Sequence, residues 1–430
     1  MNYPIWYLPS VGGGAMIAAI AVSHVFISHF AVGGGFWLVL LETRALRHRD
    51  QPLYRFTQSF ARLFVLTTLI FGALTGVGIW FAISLVQPAG TSALIHRFVF
   101  IWAAEWVLFL VEVVAITVYL HSFGHLAPRR HLIVGRVYCA ASWLSLFAIN
   151  GIITFMLTPG MASQHSGLPR AFFNPSFWPS LALRTCLAGL ISGLFVAIFA
   201  AFLADRDLAS RLIRMTAGWS LLALCGALPA GLWYLQSLPV PVRTLTEGAS
   251  PTIVRTLAMG RIALWVLLPG SLLALWRPAR IGKAAAMAGL AAGLLLMGSF
   301  EWTREAARRP YVLYGDIYSN GQRADRTTTE PFLPTAPWSR SSSPGRELFK
   351  FQCYACHTLG GLNNDIIERT RGMSQSSLAA YISQLHAIRP FMPPFIGTAE
   401  EQHALAAYLI DQQPTSPDTQ TPLARPGSQP

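Results

Sequence analysis

Eight long apolar runs, separated by short arginine-bearing stretches, constrain this chain more than any other feature. They lie at Ala15–Glu42, Leu63–Val86, Phe98–Leu120, Leu132–Leu157, Leu181–Ala204, Met215–Leu235, a stretch ending in Ile262–Trp276, and Ala284–Phe300. A helix needs about 20 apolar residues to cross a ~30 Å hydrocarbon core, and most of these runs meet that length. The seventh is the shortest in its clean part, which begins after Arg261. Composition closes the soluble alternative: 53% of the 430 residues are hydrophobic and only 12% are charged. A soluble surface would carry roughly twice that charge density. The expected fold class is therefore all-α, a polytopic membrane bundle of about eight transmembrane helices in lipid. The +13 formal charge does not point to nucleic acid, because the arginines sit between apolar runs and not in one patch.

Loop charge sets the orientation. Arg44, Arg47, Arg49, Arg55 and Arg62 fall between runs one and two, Arg129, Arg130 and Arg136 between three and four. Arg206, Arg211 and Arg214 follow run five, and Arg277, Arg280 and Lys283 follow run seven. The loop between runs two and three holds only Arg97, at its edge, and the loop between four and five only Arg170. Cytoplasmic loops are enriched in Lys and Arg, so both termini are expected outside the cytoplasm. The first run is too long for a cleavable signal peptide and has no basic segment before it.

Past Phe300 the character changes. Residues 301–310 (EWTREAARRP) read as an interfacial, arginine-rich exit. The expected division is a membrane domain at 1–311, a Thr/Ser/Pro-rich linker at 312–343, a compact domain at 344–412 and a disordered tail at 413–430. Within the compact domain, Cys353, Cys356 and His357 form CYACH. C-x-x-C-H reads as a c-type haem attachment site, in which two thiols form thioethers and the histidine is an axial ligand. Thirty-five residues on lies Met392 in FMPPF, the favoured sixth ligand, with His386 as its rival. Helical segments flank both, the second opening at Thr398 with Glu401 at capping-box spacing. This layout resembles a small all-α class I cytochrome c carrying covalent haem c. Cys139, Cys186 and Cys225 lie in apolar runs and read as small buried hydrophobes.

Ionisable side chains within spans are costly and usually functional. His24 lies about 14 Å and His29 about 21 Å into the first span, at 1.5 Å per residue. Their rings point about 140° apart, so they cannot serve one iron. His24, nearer the outer side, is the favoured haem b ligand; for His29 a hydrogen-bonded core histidine is the better reading. Gly33, Gly34 and Gly35 permit close approach of a helix or a cofactor. Glu105 and Glu112, seven residues apart on one face of the third span, suggest a haem ligand or a proton pathway, against a structural carboxylate paired to arginine. Arg184, Arg261, Arg304, Arg308 and Arg309 fall near outer span ends, where arginine can clamp haem propionates.

The run AVSHVFISHFAVGGGFWLVLLET, with His24, resembles the first helix of subunit I of the cytochrome bd quinol oxidases. Glu105 and Glu112 resemble that family's two third-helix glutamates at a spacing one residue shorter. WLSLFAINGIITFMLTPG, around Asn150 and Gly151, is similar to its fourth helix, and EAARRPY to its GRQPW segment. The resemblance implies that His24 ligates a high-spin haem b. It also implies departures. The low-spin haem's histidine would fall at Leu183 or Arg184, its methionine at Ala263, and a late-helix glutamate ligand near Gly298. The loop that shapes the quinol site is only about 25 residues here. The chain looks like a branch of this superfamily that carries a fused cytochrome c and lacks the quinol site.

The expected function is a membrane haem oxidoreductase of a respiratory chain. Its cytochrome c would exchange electrons with an extracytoplasmic donor or acceptor and with haem b near His24. A cytochrome c-fed terminal oxygen reductase and a non-catalytic scaffold with a tethered cytochrome c stand as alternatives. The resemblance implies a second membrane subunit, further subunits of a respiratory complex, and a location in the bacterial cytoplasmic membrane with the cytochrome c on the periplasmic side.

Overall fold

The computed structural model describes residues 5–160, 167–246, 250–326, 328–336 and 342–413. The expected tail lies, after Gln413, outside the described residues. The chain divides into two units, one built on Gly14–Asp325 and the other on Tyr7–Gly13 together with residues from Arg326 onward.

The first unit contains eight helices long and apolar enough to cross a membrane, among the described residues. They are α1 (Gly13–His48), α2 (Gln51–Val86), α3 (Pro88–His121), α4 (Pro128–Phe155), α5 (Phe177–Ala201), α6 (Arg206–Ser237), α7 (Pro251–Trp276) and α8 (Lys283–Arg308). Local sequence starts several of them. Asp50 caps α2 by accepting the Leu53 amide, and Asp205 caps α6 by accepting the amides of Asp207 and Leu208, each satisfying donors that the first turn leaves open. Proline lies inside α6 (Pro229) and α7 (Pro269), a placement that neighbouring helices make tolerable in a membrane.

Two boundaries differ from the sequence expectation. Helix α7 begins at Pro251, ten residues before Arg261, because residues 251–260 hold no proline after their first position and continue the same helix. Helix α8 does not stop at Phe300: Glu301–Arg308 are its last two turns, and Glu301 and Arg308 are buried. Arginine density suggested an interface there, but the charges pair with carboxylates on the same helix.

The turns sort to two ends. Arg211 pairs with Asp50 at 2.6 Å, Arg214 donates to the Leu275 carbonyl at 3.2 Å, and Lys283 lies 4.5 Å from the Phe202 ring centre. These contacts put the α1–α2, α5–α6 and α7–α8 turns at one end. At the other, Gln87 donates to the Ser319 carbonyl (2.6 Å) and the Tyr314 amide to that of Met156 (2.9 Å). There a hairpin, β1 (Tyr311–Leu313) with β2 (Ile317–Tyr318), follows α8, its Tyr311 and Tyr318 rings stacked at 4.8 Å.

The glycine triplet is a packing device. A methyl group on Gly33 would collide with the Ala188 carbonyl of α5, one on Gly34 with the Phe64 ring of α2, and one on Gly35 with the Tyr138 ring of α4. Three successive positions thus let α1 touch three neighbours, and protein, not a cofactor, fills the space beside them.

In the second unit, α9 (Pro344–Leu348) runs into a π-helical turn at Phe349–Cys353. Helices α10 (Gln375–Ser383) and α11 (Ala399–Asp411) are its two longest. Thr398 and Glu401 form the expected capping box. Leu348, Phe349, Tyr354, Leu405, Ala406 and Leu409 are its buried centre. The segment Tyr7–Gly13 packs here: the Leu8 amide donates to the Tyr354 hydroxyl (2.5 Å) and the Leu362 amide to the Ser10 carbonyl (2.8 Å).

Candidate haem sites

The π-helical turn delivers Cys353, and the chain then closes into a tight turn in which the amides of Cys356 and His357 both bond the Cys353 carbonyl. Neither cysteine is in a disulfide. Burial, with Cys356 beside it, pushes the Cys353 thiol up to about 12. His357 Nδ1 lies 2.8 Å from the Asn364 carbonyl. A carbonyl only accepts, so Nδ1 carries the proton and Nε2 is left as the ligating nitrogen, the usual arrangement of a metal-bound histidine. Met392 is half-buried, and its carbonyl accepts from His386 Nδ1 at 2.6 Å. One nitrogen of the rival ligand is thus engaged in holding the methionine loop. Gln352 exchanges two hydrogen bonds with Ile396, pinning the residue before Cys353 to the segment after Met392. Sequence reasoning missed Gln352; its place immediately before the haem motif was the available signal. Two thiols, a tautomer-fixed histidine and a thioether form a donor set that fits covalent haem c.

In the membrane unit, His24 packs against α2, where its Cε1 would lie 3.2 Å from a methyl on Gly76. Its Nδ1 is 3.1 Å from the Thr75 hydroxyl. That hydroxyl donates its own proton to the Phe71 carbonyl (2.5 Å), so it accepts from His24. Nδ1 is therefore the protonated nitrogen and Nε2 keeps a lone pair, which fits ligation of a haem iron. A π-helical turn at Thr67–Gly72, one turn before Thr75, re-aims α2 at this point. His29 faces elsewhere. It is 2% exposed, its Nδ1 bonds the Val25 carbonyl (2.9 Å), and its buried Nε2 has no partner among the described residues. It lies within electrostatic range of Arg184 and Glu301.

Glu105 and Glu112 are half-buried on the face of α3 turned toward α4, where the Ser145 hydroxyl donates to Glu105 at 3.1 Å. Among the described ion pairs, neither has an arginine or lysine partner.

The arginines separate into two settings. Arg261 is exposed on α7. Arg184 is 1% exposed and bonded to Glu301 at 2.7 Å, its guanidinium 5.3 Å from the Phe300 ring centre. Arg304 pairs with the same Glu301 at 3.1 Å, while Arg308 pairs with Glu305 at 2.6 Å and approaches the Met156 sulfur at 3.3 Å. Arg184, Arg304 and Arg308 each keep a buried N–H without a partner among the described residues, which suits them to an anionic group. Arg309 follows directly, at the end of α8.

The positions at which the resemblance would put the ligands of a second, low-spin haem do not fit that group. Leu183 and Ala263 are buried and have no donor atom, a guanidinium does not ligate iron, and Gly298 packs against Phe26. At the place where a histidine would be needed, the chain has an arginine bonded to Glu301. Glu301 escaped sequence analysis because it was assigned to the interface, beyond the end of the eighth run.

Comparison with known proteins finds a family for each part of the chain. Residues 15–238 match the family model of cytochrome bd terminal oxidase subunit I, and residues 341–409 that of cytochrome c oxidase, cbb3-type, subunit III. No curated protein matches the chain. Among solved structures, the bd oxidase from Geobacillus thermodenitrificans aligns with a TM-score of 0.59 at 14% identity, over 72% of this chain and 90% of that one; at that identity the likeness is one of fold. The chain is thus a multi-span haem protein of respiratory electron transfer, with a cytochrome c segment for covalent haem c and a membrane part from a family that binds haem b. With more than half its length matched by the family model, the chain belongs to the cytochrome bd terminal oxidase subunit I family.

Proposed function

We propose that the chain passes electrons between a haem c held by Cys353, Cys356, His357 and Met392 and a single haem b ligated by His24. The observation that carries this reading is the tautomer of His24: Thr75 accepts the Nδ1 proton, so Nε2 keeps its lone pair. The haems supply one-electron chemistry; the protein supplies ligands and charge. Arg304 and Arg308, with Arg184, Arg261 and Arg309, supply guanidinium groups for haem carboxylates, three of them with an unpartnered buried N–H. Glu105 and Glu112 serve as proton carriers. The chain then lies in a bacterial cytoplasmic membrane with the cytochrome c outside, beside a second membrane subunit and other subunits of a respiratory complex. A periplasmic protein donates or accepts the electrons.

One observation favours a second reading, reduction of oxygen at an open haem b. The two carboxylates of α3 lack cationic partners, as proton carriers to a reacting iron would. Carbon monoxide difference spectra of the dithionite-reduced protein decide. A shifted b-type spectrum establishes an open iron and the reductase; an unshifted one establishes electron transfer alone. Absence of any b-type band would overturn both and leave a membrane scaffold with a tethered cytochrome c.

A further inference from the structure

The segment Tyr7–Gly13 belongs to the second unit, although Trp6 before it and Gly14 after it belong to the first. Gly13 is also the first residue of α1. A short piece of chain leading into the first membrane helix is thus part of the cytochrome c fold. Its anchor is Tyr354, the residue after Cys353. Tyr354 is 1% exposed, and its ring lies 4.7 Å from that of Tyr7. Its hydroxyl accepts the Leu8 amide, and the Gly13 amide acts on the same oxygen. A buried phenol usually finds a hydrogen-bond partner, and here main chain from the opposite end of the protein supplies it.

The same segment lies against the loop that follows the haem motif. The Gly12 amide bonds the Leu8 carbonyl at 2.9 Å, closing a turn in which Gly12 takes a φ of +81°. A methyl group on Gly12 would lie 2.9 Å from Asn363 Cβ. From the loop side, the Leu362 amide donates to the Ser10 carbonyl at 2.8 Å. A methyl group on Gly361 would lie 2.5 Å from that carbonyl oxygen and 2.9 Å from that of Pro9. Glycine at both positions lets the two main chains lie directly on one another. The loop is in turn seated on the motif: the Asn363 carbonyl accepts the Thr358 amide (3.0 Å), and Asn364 Nδ2 donates to the Cys356 carbonyl (3.2 Å). Its last carbonyl, that of Asn364, accepts from His357 Nδ1.

We propose that Tyr7–Gly13 is a positioning strap for the histidine of CYACH. Seated on the Tyr354 hydroxyl and against Gly361–Asn363, it keeps the Asn364 carbonyl on His357 Nδ1, 2.8 Å away. The proposal rests on the reading of His357 as the haem c ligand and names what orients that ligand from outside the motif. A ligating histidine whose other nitrogen donates to a fixed carbonyl is the more basic for it and favours the oxidised metal. Loosening the carbonyl therefore raises the haem potential. A strap that merely kept water from the haem would act in the opposite sense, since its loss would expose the haem and favour the charged, oxidised state.

The test uses full-length holoprotein and two readouts: amide hydrogen exchange of the peptides covering residues 7–13 and 357–364, and the midpoint potential of the c-type haem by spectroelectrochemical titration. Tyr354→Phe removes the acceptor and keeps the ring, whereas Gly361→Ala puts a methyl group against the Ser10 carbonyl. Both are expected to speed exchange in the two peptides about tenfold, the worth of one hydrogen bond, to leave the c-type haem content unchanged and to shift the midpoint potential upward. Ser10→Ala, which leaves the accepting carbonyl in place, is expected to match the wild type in both readouts. If Gly361→Ala fails to take up haem, Tyr354→Phe carries the test. Faster exchange with an unchanged or lowered potential would overturn the link to His357, and wild-type exchange in Tyr354→Phe would overturn the strap itself. A wild type without c-type haem in a pyridine haemochrome assay would overturn the assignment of His357 along with it.

Discussion

Thr75 and His24 share one proton-donating direction: the hydroxyl gives its hydrogen to Phe71 and receives that of His24 Nδ1 across 3.1 Å. Such outer partners fix a ligand's tautomer and orientation, and their loss typically weakens binding about 10- to 100-fold. Thr75→Val, which keeps the shape and removes the acceptor, is therefore expected to shed haem b on dilution more readily by that factor. Thr75→Ser is expected to retain it. Titration of apoprotein with haem, followed optically, checks both.

Arg184 and Glu301 join α5 to α8 inside the helix bundle. Removing one partner of a buried pair strands the other charge and costs about 3–5 kcal/mol, whereas exchanging both for apolar groups is often close to neutral. Arg184→Met should lower the unfolding midpoint in detergent, and Arg184→Met with Glu301→Met should recover only part of the loss, because Arg304 also loses its carboxylate. Equal losses in the single and double variants would show that the pair is not coupled.

Asp50 offers a pH signature outside the spans. Burial pushes its carboxyl up, but the Leu53 amide and the Arg211 guanidinium outweigh that and hold it below the usual carboxylate range. A lowered native value means that its stabilisation is complete above the unfolded pKa near 4 and fades as pH falls through the native one. Asp50→Ala should cost about 1 kcal/mol at neutral pH, mainly as a lost helix cap. The difference from wild type should shrink in acid, as thermal unfolding across that range would show.

Gly33 faces a backbone atom, the Ala188 carbonyl, which cannot swing away. Gly33→Ala should therefore separate α1 from α5 and destabilise the bundle by about 1–3 kcal/mol, the usual cost of overpacking. An unchanged unfolding midpoint would contradict the packing role of the triplet.

The membrane architecture was legible in the sequence because lipid leaves few options: long apolar runs must be helices, and alternating arginines must sort the turns. CYACH carried its chemistry on adjacent residues, and so did the capping box at Thr398. What stayed hidden depends on partners far apart in the chain. Glu42, Tyr119 and His131 are unremarkable alone, and only the packing of α1, α3 and α4 brings them into hydrogen-bond contact. The burial of Glu301 was obscured because its basic neighbours suggested an interface; Arg184, which neutralises it, lies 117 residues away. Thr75 likewise acquires meaning only from the helix it faces.

Pyridine haemochrome analysis of the wild type and of His24→Ala addresses the two-haem wiring most directly. The wild type should contain one b-type haem for each c-type haem, and His24→Ala should lose the b-type signal while the c-type signal remains. A variant that keeps its full b-type content would contradict the assignment of His24, and a wild type with no b-type haem would contradict the wiring itself.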